Sequence, residues 1–195
     1  GKSNGIALIL DGLVRENVPF LLIDFKRTFR ALLHDHKDIL IFTAGDHHTA
    51  PFQFNPLIPP PGTPVDVWIK KVVGAVSHAY MQGAGSESLL ISALAQVYEQ
   101  KSTQHRWPTF KDVIEVLESD PARGRRAMWM DSAKRAIGSL TSGNAGEVFC
   151  PEQPIDLVQL LTRNVVLEMD LLNPAEQCAL SELLLLWVIQ YRMHN

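Results

Sequence analysis

Two uninterrupted apolar runs near the start of the chain limit its fold more than any other feature. Residues 18–23 read Val-Pro-Phe-Leu-Leu-Ile and stop at Asp24; residues 39–43 read Ile-Leu-Ile-Phe-Thr. Neither run alternates as a half-exposed strand does, and both are too short for a buried helix. Such segments are strands covered on both faces, the setting of a parallel sheet in an α/β protein. A third, Val165-Val166-Leu167-Glu168-Met169-Asp170, also ends in acid. Residues 5–14, ahead of the first strand, predict a short helix buried on most of its surface, ended by Arg15-Glu16-Asn17.

Between the second and third strands the period changes to that of helices. Pro51, Pro56, Pro59, Pro60, Pro61 and Pro64 punctuate a connector around Phe54-Asn55-Pro56-Leu57, which excludes helix there. Val65, Trp68, Ile69, Val72, Val73, Val76, Ala79 and Tyr80 then form one helical stripe, and Leu89, Leu90, Ala93, Leu94, Val97 and Tyr98 a second. Thr109 and Asp112 predict a capping box that opens a third helix. A fourth spans about residues 123–140 and is expected to bury Trp129, Ala133, Ala136, Ile137 and Leu140. Asn173-Pro174-Ala175-Glu176 supplies N-cap, N1 proline and N3 glutamate for a long last helix. The expected organisation is a parallel-sheet core in 1–64 and 142–195 with an all-helical block, 65–141, inserted between its strands.

Composition excludes other classes. The 195 residues are 46% apolar and 20% charged, and 18 basic side chains against 21 acidic ones give a net charge of −3. Disorder, collagen and a disulfide scaffold are ruled out, and any nucleic-acid contact must be local. Cys150 and Cys178 have no CxxC spacing and read as buried free thiols of a reducing compartment. The longest apolar run, residues 183–189, falls far short of the roughly 20 residues that span a bilayer. No membrane contact and a cytoplasmic location are therefore expected. The start, Gly1-Lys2-Ser3-Asn4, lacks an initiator Met and reads as the beginning of a fragment of a longer chain.

Gly1-Lys2-Ser3 at the head of an apolar helix matches the last three positions of the phosphate-binding loop G-x-x-x-x-G-K-[ST]. Glycine lets backbone N–H groups face phosphate oxygens, lysine reaches the outer phosphates, the serine hydroxyl ligates Mg²⁺, and the helix adds the positive end of its dipole. Three residues alone also suit an ordinary surface turn. The context, a helix followed by a buried strand ending in aspartate, is that of the first unit of a P-loop fold.

Taken with Pro19-Phe20-Leu21-Leu22-Ile23-Asp24-Phe25-Lys26-Arg27, with Pro51-Phe52-Gln53-Phe54-Asn55-Pro56-Leu57 and with Asn164-Val165-Val166-Leu167-Glu168-Met169-Asp170, this beginning resembles the HerA/FtsK-type P-loop ATPases. The resemblance implies a RecA-like fold and a hexameric motor that pumps double-stranded DNA at the expense of ATP and Mg²⁺, with a nuclease or effector as partner. It gives Gly1, Lys2, Ser3 and Asn4 the nucleotide, and Ser3 the Mg²⁺. The family's acidic Walker B strand follows the helix after a strand like 165–170, so it is expected beyond Asn195, and this piece alone is expected to be inactive. Glu168 and Asp170 have the local shape of Walker B without its two adjacent acids; Asp170 is the candidate catalytic residue, with capping of the next turn as its other reading.

Other readings compete. Asp24 suits a structural cap, and Lys26 and Arg27 suit solvated or subunit-interface charges. His34-Asp35-His36 and Asp46-His47-His48 invite a metal-dependent phosphoesterase, although that chemistry needs more aspartates than Asp24 supplies. Arg123, Arg125, Arg126, Lys134 and Arg135 form a basic patch suited to phosphates or to solvent. A nonenzymatic interaction domain with a vestigial P-loop is the remaining alternative.

Overall fold

A computed structural model describes residues 2–31 and 36–194, with backbone only for 2–4. In chain order the elements are α1 (Lys2–Arg15), β1 (Leu21–Asp24), β2 (Ile39–Thr43), α2 (Val65–Ala79), α3 (Ala84–Ser102), α4 (Phe110–Ser119), α5 (Arg125–Thr141), α6 (Gly143–Phe149), α7 (Leu157–Leu160), β3 (Asn164–Glu168) and α8 (Pro174–His194). The strands form one parallel sheet in the order β1-β3-β2. β3 thus returns, after the long helical excursion, to the slot between the two earlier strands.

Alternation along the strands gives each face its own core. Val165 and Leu167 of β3, with Leu21, Ile23, Leu40 and Phe42, face the large cluster built by α2–α8. Val166, with Leu22, Ile39 and Ile41, faces Leu10, Leu13 and Val14 of α1 together with Phe20 and Phe29. Both faces of the sheet are covered, as the uninterrupted apolar runs require. The helices of 65–141 share the first cluster with the sheet and with α8, and helical structure runs on past 141 through α6 and α7.

Several elements differ from their sequence expectation. α1 is amphipathic rather than buried all round: Leu10 is buried, while Leu8 and Ile9 are 73% and 64% exposed. β1 begins at Leu21, because Pro19 has no N–H for a ladder and pairing with β3 starts at the Phe20 carbonyl, which accepts from Val165 N. β3 stops at Glu168, so Asp170 lies in the turn beyond it. α5 starts at Arg125 behind Gly124, whose φ is +58°. Met130 takes the buried place expected of Trp129, and Trp129 stays 38% exposed beneath the Arg125 guanidinium, 5.2 Å from its ring centroid.

The capping box predicted at Thr109 forms, and Asn173 and Glu176 take the N-cap and N3 places predicted for the last helix. Thr109 N donates to Asp112 Oδ2 at 2.7 Å, and Asn173 Oδ1 accepts from Ala175 N and Glu176 N while Asn173 N donates to Glu176 Oε2.

The Phe-Asn-Pro-Leu connector joins the helices to one another. Trp68 Nε1 of α2 donates to Pro56 O at 2.8 Å, the Tyr98 hydroxyl of α3 donates to Leu57 O, and Trp187 Nε1 of α8 donates to Ile58 O at 3.1 Å. Buried Asn55 holds the connector in place: its Nδ2 donates to Pro108 O at 2.9 Å and its Oδ1 accepts from Leu57 N at 3.0 Å. Asn55→Ala would leave a buried carbonyl and a buried N–H unpaired, and is expected to cost about 2 kcal/mol. Urea titration reads that loss; a cost below about 0.5 kcal/mol, the scatter of a neutral surface change, would contradict the role given to Asn55.

Candidate functional site at the carboxyl edge of the sheet

In open parallel sheets, ligand sites form beyond the carboxyl ends of the strands. Register brings Asp24, Glu168 and Thr43, the last residues of β1, β3 and β2, side by side at that edge. Each has a distinct environment.

Asp24 is buried and caps the loop after its strand. Its carboxylate accepts from Lys26 N (2.9 Å), Thr28 N (2.6 Å), Phe29 N (3.1 Å) and the Thr28 hydroxyl (3.1 Å). The structural reading of Asp24 therefore holds, and the cap sets the course of the loop that carries Arg27 and Arg30. Arg27 adopts φ +52°, the left-handed region.

Glu168 is fully buried at the end of the central strand. Arg30 grips it with two bonds, Nε to Oε1 at 2.7 Å and Nη2 to Oε2 at 2.8 Å, and the buried Thr43 hydroxyl donates to Oε2 at 2.9 Å. Arg27 Nε lies 3.5 Å from Oε2 and bonds Asp170 Oδ1 at 2.6 Å. Burial pushes the Glu168 pKa up most strongly of any single influence, but the bonds from Arg30 and Thr43 and the nearby guanidinium charges outweigh it, so the net direction is down. The same bond raises the pKa of Arg30, against the lesser effect of its desolvation. With both oxygens committed, Glu168 is an anchor that joins the three strand ends and suits neither proton transfer nor water activation. Asp170 gives one oxygen to Arg27 and stays partly exposed.

The loop after β2 completes the edge. Ala44 N donates to Glu168 O at 2.8 Å. Gly45, at φ +87°, passes so close to α6 that an added Cβ would stand 2.8 Å from Asn144 Cβ. Asp46 Oδ1 accepts from His48 N and Thr49 N, bonds that hold its carboxyl below the usual range. The His47 and His48 rings lie against each other, with centroids 4.0 Å apart. Among the described residues, no group of three metal-ligating side chains includes Asp46, His47 or His48, so the Asp-His-His segment is an exposed turn without a ligand constellation. His34 and Asp35 of the other histidine cluster lie outside the described residues, and His36 bonds Asp11 at 2.9 Å.

Gly1 also lies outside the described residues; Lys2, Ser3 and Asn4 open α1. A five-residue link joins the end of α1 to the amino end of β1, and Leu10, Leu13 and Val14 pack on the sheet. In the basic patch, Arg126 pairs with Asp120 at 2.5 Å, Arg125 covers Trp129 and Arg135 donates to the Ser132 hydroxyl at 3.2 Å, so three of its five cations are engaged locally.

Sequence reasoning missed Arg30 and Thr43. Neither carries a motif, and the contact with Glu168 spans 138 residues for one and 125 for the other.

Fold and edge together define an open α/β domain: a parallel sheet with helices on both faces and its polar residues gathered where the strands end. No family model matches the chain, and no curated protein matches it. Among solved structures, VirB4 of Thermoanaerobacter pseudethanolicus shares this fold, with a TM-score of 0.68 at 14% identity over 100% of this chain and 77% of that one. Among the described residues, no helix is long and apolar enough to cross a membrane.

Proposed function

We propose that this chain is part of a P-loop ATPase of the HerA/FtsK type, and more specifically of a motor that moves double-stranded DNA through a hexameric ring. The observation that supports the coarser reading is the likeness in fold, over the whole chain, to VirB4, taken with Gly1-Lys2-Ser3 at the head of α1. The finer reading, with DNA, ring and a nuclease or effector partner, rests on the sequence resemblance.

Gly1, Lys2, Ser3 and Asn4 then hold the nucleotide. Their chemistry fits: a lysine and a hydroxyl at the first turn of a helix whose start carries no acidic side chain to repel phosphate. Lys2 would neutralise the outer phosphates and the Ser3 hydroxyl would ligate Mg²⁺. Asp170 takes the catalytic assignment, as the acid of the edge with an oxygen not bonded to Arg27, while the bond from Arg27 orients its carboxylate. Phosphoryl transfer is mostly positioning and charge stabilisation, so the base and arginine finger expected downstream are needed for turnover.

The first test is binding. Titrating ATP with Mg²⁺ into the protein in a calorimeter is expected to give saturable 1:1 heat, weakened when Mg²⁺ is chelated. Absence of binding in a protein that carries the full phosphate loop would favour the nonenzymatic interaction domain.

A further inference from the structure

We propose a second site, for a thiophilic divalent cation such as Zn²⁺, formed by His78, Cys178 and Glu182 where the end of α2 meets the first turns of α8. One ligand atom from each of the three side chains lies within 4.8 Å of the other two. Cys178 and Glu182 are four residues apart on α8 and so share a face. His78 comes from the last turn of α2, which packs against α8, and its Nδ1 lies 2.7 Å from Glu182 Oε2.

Sulfur, nitrogen and oxygen donors together suit Zn²⁺ and disfavour Mg²⁺ or Ca²⁺, which take oxygen alone. Tetrahedral bonds of about 2.0–2.3 Å put neighbouring ligand atoms about 3.3–3.8 Å apart. The histidine–glutamate pair must therefore open slightly and the thiol draw in, both within reach of rotamer adjustment at a partly exposed site. The groove beside it, about 500 Å³ and lined in part by Phe25, Ser181 and Glu182, gives a hydrated ion access. Three protein ligands leave a fourth position for water.

On binding, the S–H bond of Cys178 breaks and its proton goes to solvent as the sulfur–metal bond forms. If Nδ1 of His78 is the ligand, the imidazole proton resides on Nε2, and the hydrogen bond to Glu182 gives way to one bond from each residue to the ion. The ion then ties residue 78 to residue 182 and clips the first helix of the long excursion between β2 and β3 to the helix that follows β3.

Cobalt reports on this directly. Adding Co²⁺ to the reduced protein is expected to produce the visible bands of tetrahedral Co²⁺ together with a near-ultraviolet thiolate-to-metal band, and Zn²⁺ should bleach both. Cys178→Ser should remove the thiolate band, Cys150→Ser should leave it unchanged, and His78→Ala should weaken Co²⁺ binding at least tenfold. No thiolate band, a band that survives Cys178→Ser, or equal affinity in His78→Ala would each overturn the site. Circular dichroism of each variant confirms that it is folded before its spectrum is compared.

Discussion

Lys2→Ala is expected to abolish ATP hydrolysis by the complete protein and to leave the fold intact. Lysine supplies the one full positive charge of the four-residue loop end, and removing a charge aimed at the transferring phosphoryl group costs about 10²-fold or more in turnover. Stability should hardly change, because Lys2 opens α1 while the packing of that helix on the sheet rests on Leu10, Leu13 and Val14. A substitution that leaves such core packing intact is worth about 0.5 kcal/mol or less. Phosphate release and a thermal melt on the same sample read both quantities. Turnover within a few-fold of wild type would refute the role given to Lys2, and a collapsed melt would show that Lys2 serves the fold.

Glu168→Ala is expected to be the most destabilising single change at the sheet edge, at about 3–4 kcal/mol. The substitution strips the buried Thr43 hydroxyl of its acceptor, frees Arg30 from two bonds and opens a void at the end of the central strand. Arg30 is half exposed and regains water, which keeps the cost below that of stranding a fully buried charge. At about 2–4 °C per kcal/mol for a chain of this size, Tm should fall by roughly 6–16 °C. Glu168→Gln keeps the volume and an acceptor for Thr43, and should cost less than half as much.

The sign of the pH dependence follows from the lowered pKa of Glu168. The folded protein binds this proton less readily than the unfolded chain does, so the carboxylate contributes stability above the unfolded value, near 4.5. That contribution is lost as pH falls through the lower, folded value. Asp112 acts in the same direction: burial raises its pKa most strongly, but the bonds from Lys101 and Thr109 and the Lys101 charge bring the net effect down. Stability should therefore drop steeply below about pH 4.5 in the wild type and less steeply in Glu168→Gln. Parallel acid limbs for the two proteins would show that Glu168 is not a source of the drop.

Local signals made much of the fold legible. The apolar runs at 18–23, 39–43 and 165–167 specify strands covered on both sides, because a run apolar at every position leaves neither face suited to water. The stripes of α2 and α3 and the boxes at Thr109 and Asn173 are likewise set within a few residues, as helix periodicity and capping are short-range. The basis for suspecting a nucleotide was equally local, four residues at the head of one helix.

Which way a helix turns and which groups meet across the chain were beyond such reading. Trp129 has helical spacing suited to the core, yet α5 rotates to bury Met130 and leaves the indole to Arg125. Asp24, Glu168 and Asp170 look alike as acids that end apolar runs, and only their neighbours separate a loop cap, a buried anchor and a partly exposed pair with Arg27. The long return of β3 between β1 and β2 carries Glu168 to Arg30 and Thr43, and the packing of α2 on α8 carries His78 to Cys178 and Glu182. Sequence by itself determined which segments bury themselves and what their ends offer, since hydrophobic periodicity and capping act within a turn or a strand. Tertiary structure alone decided which charged groups meet at the sheet edge and between α2 and α8, because those contacts close across more than a hundred residues, depend on how the elements pack and leave no trace in local spacing.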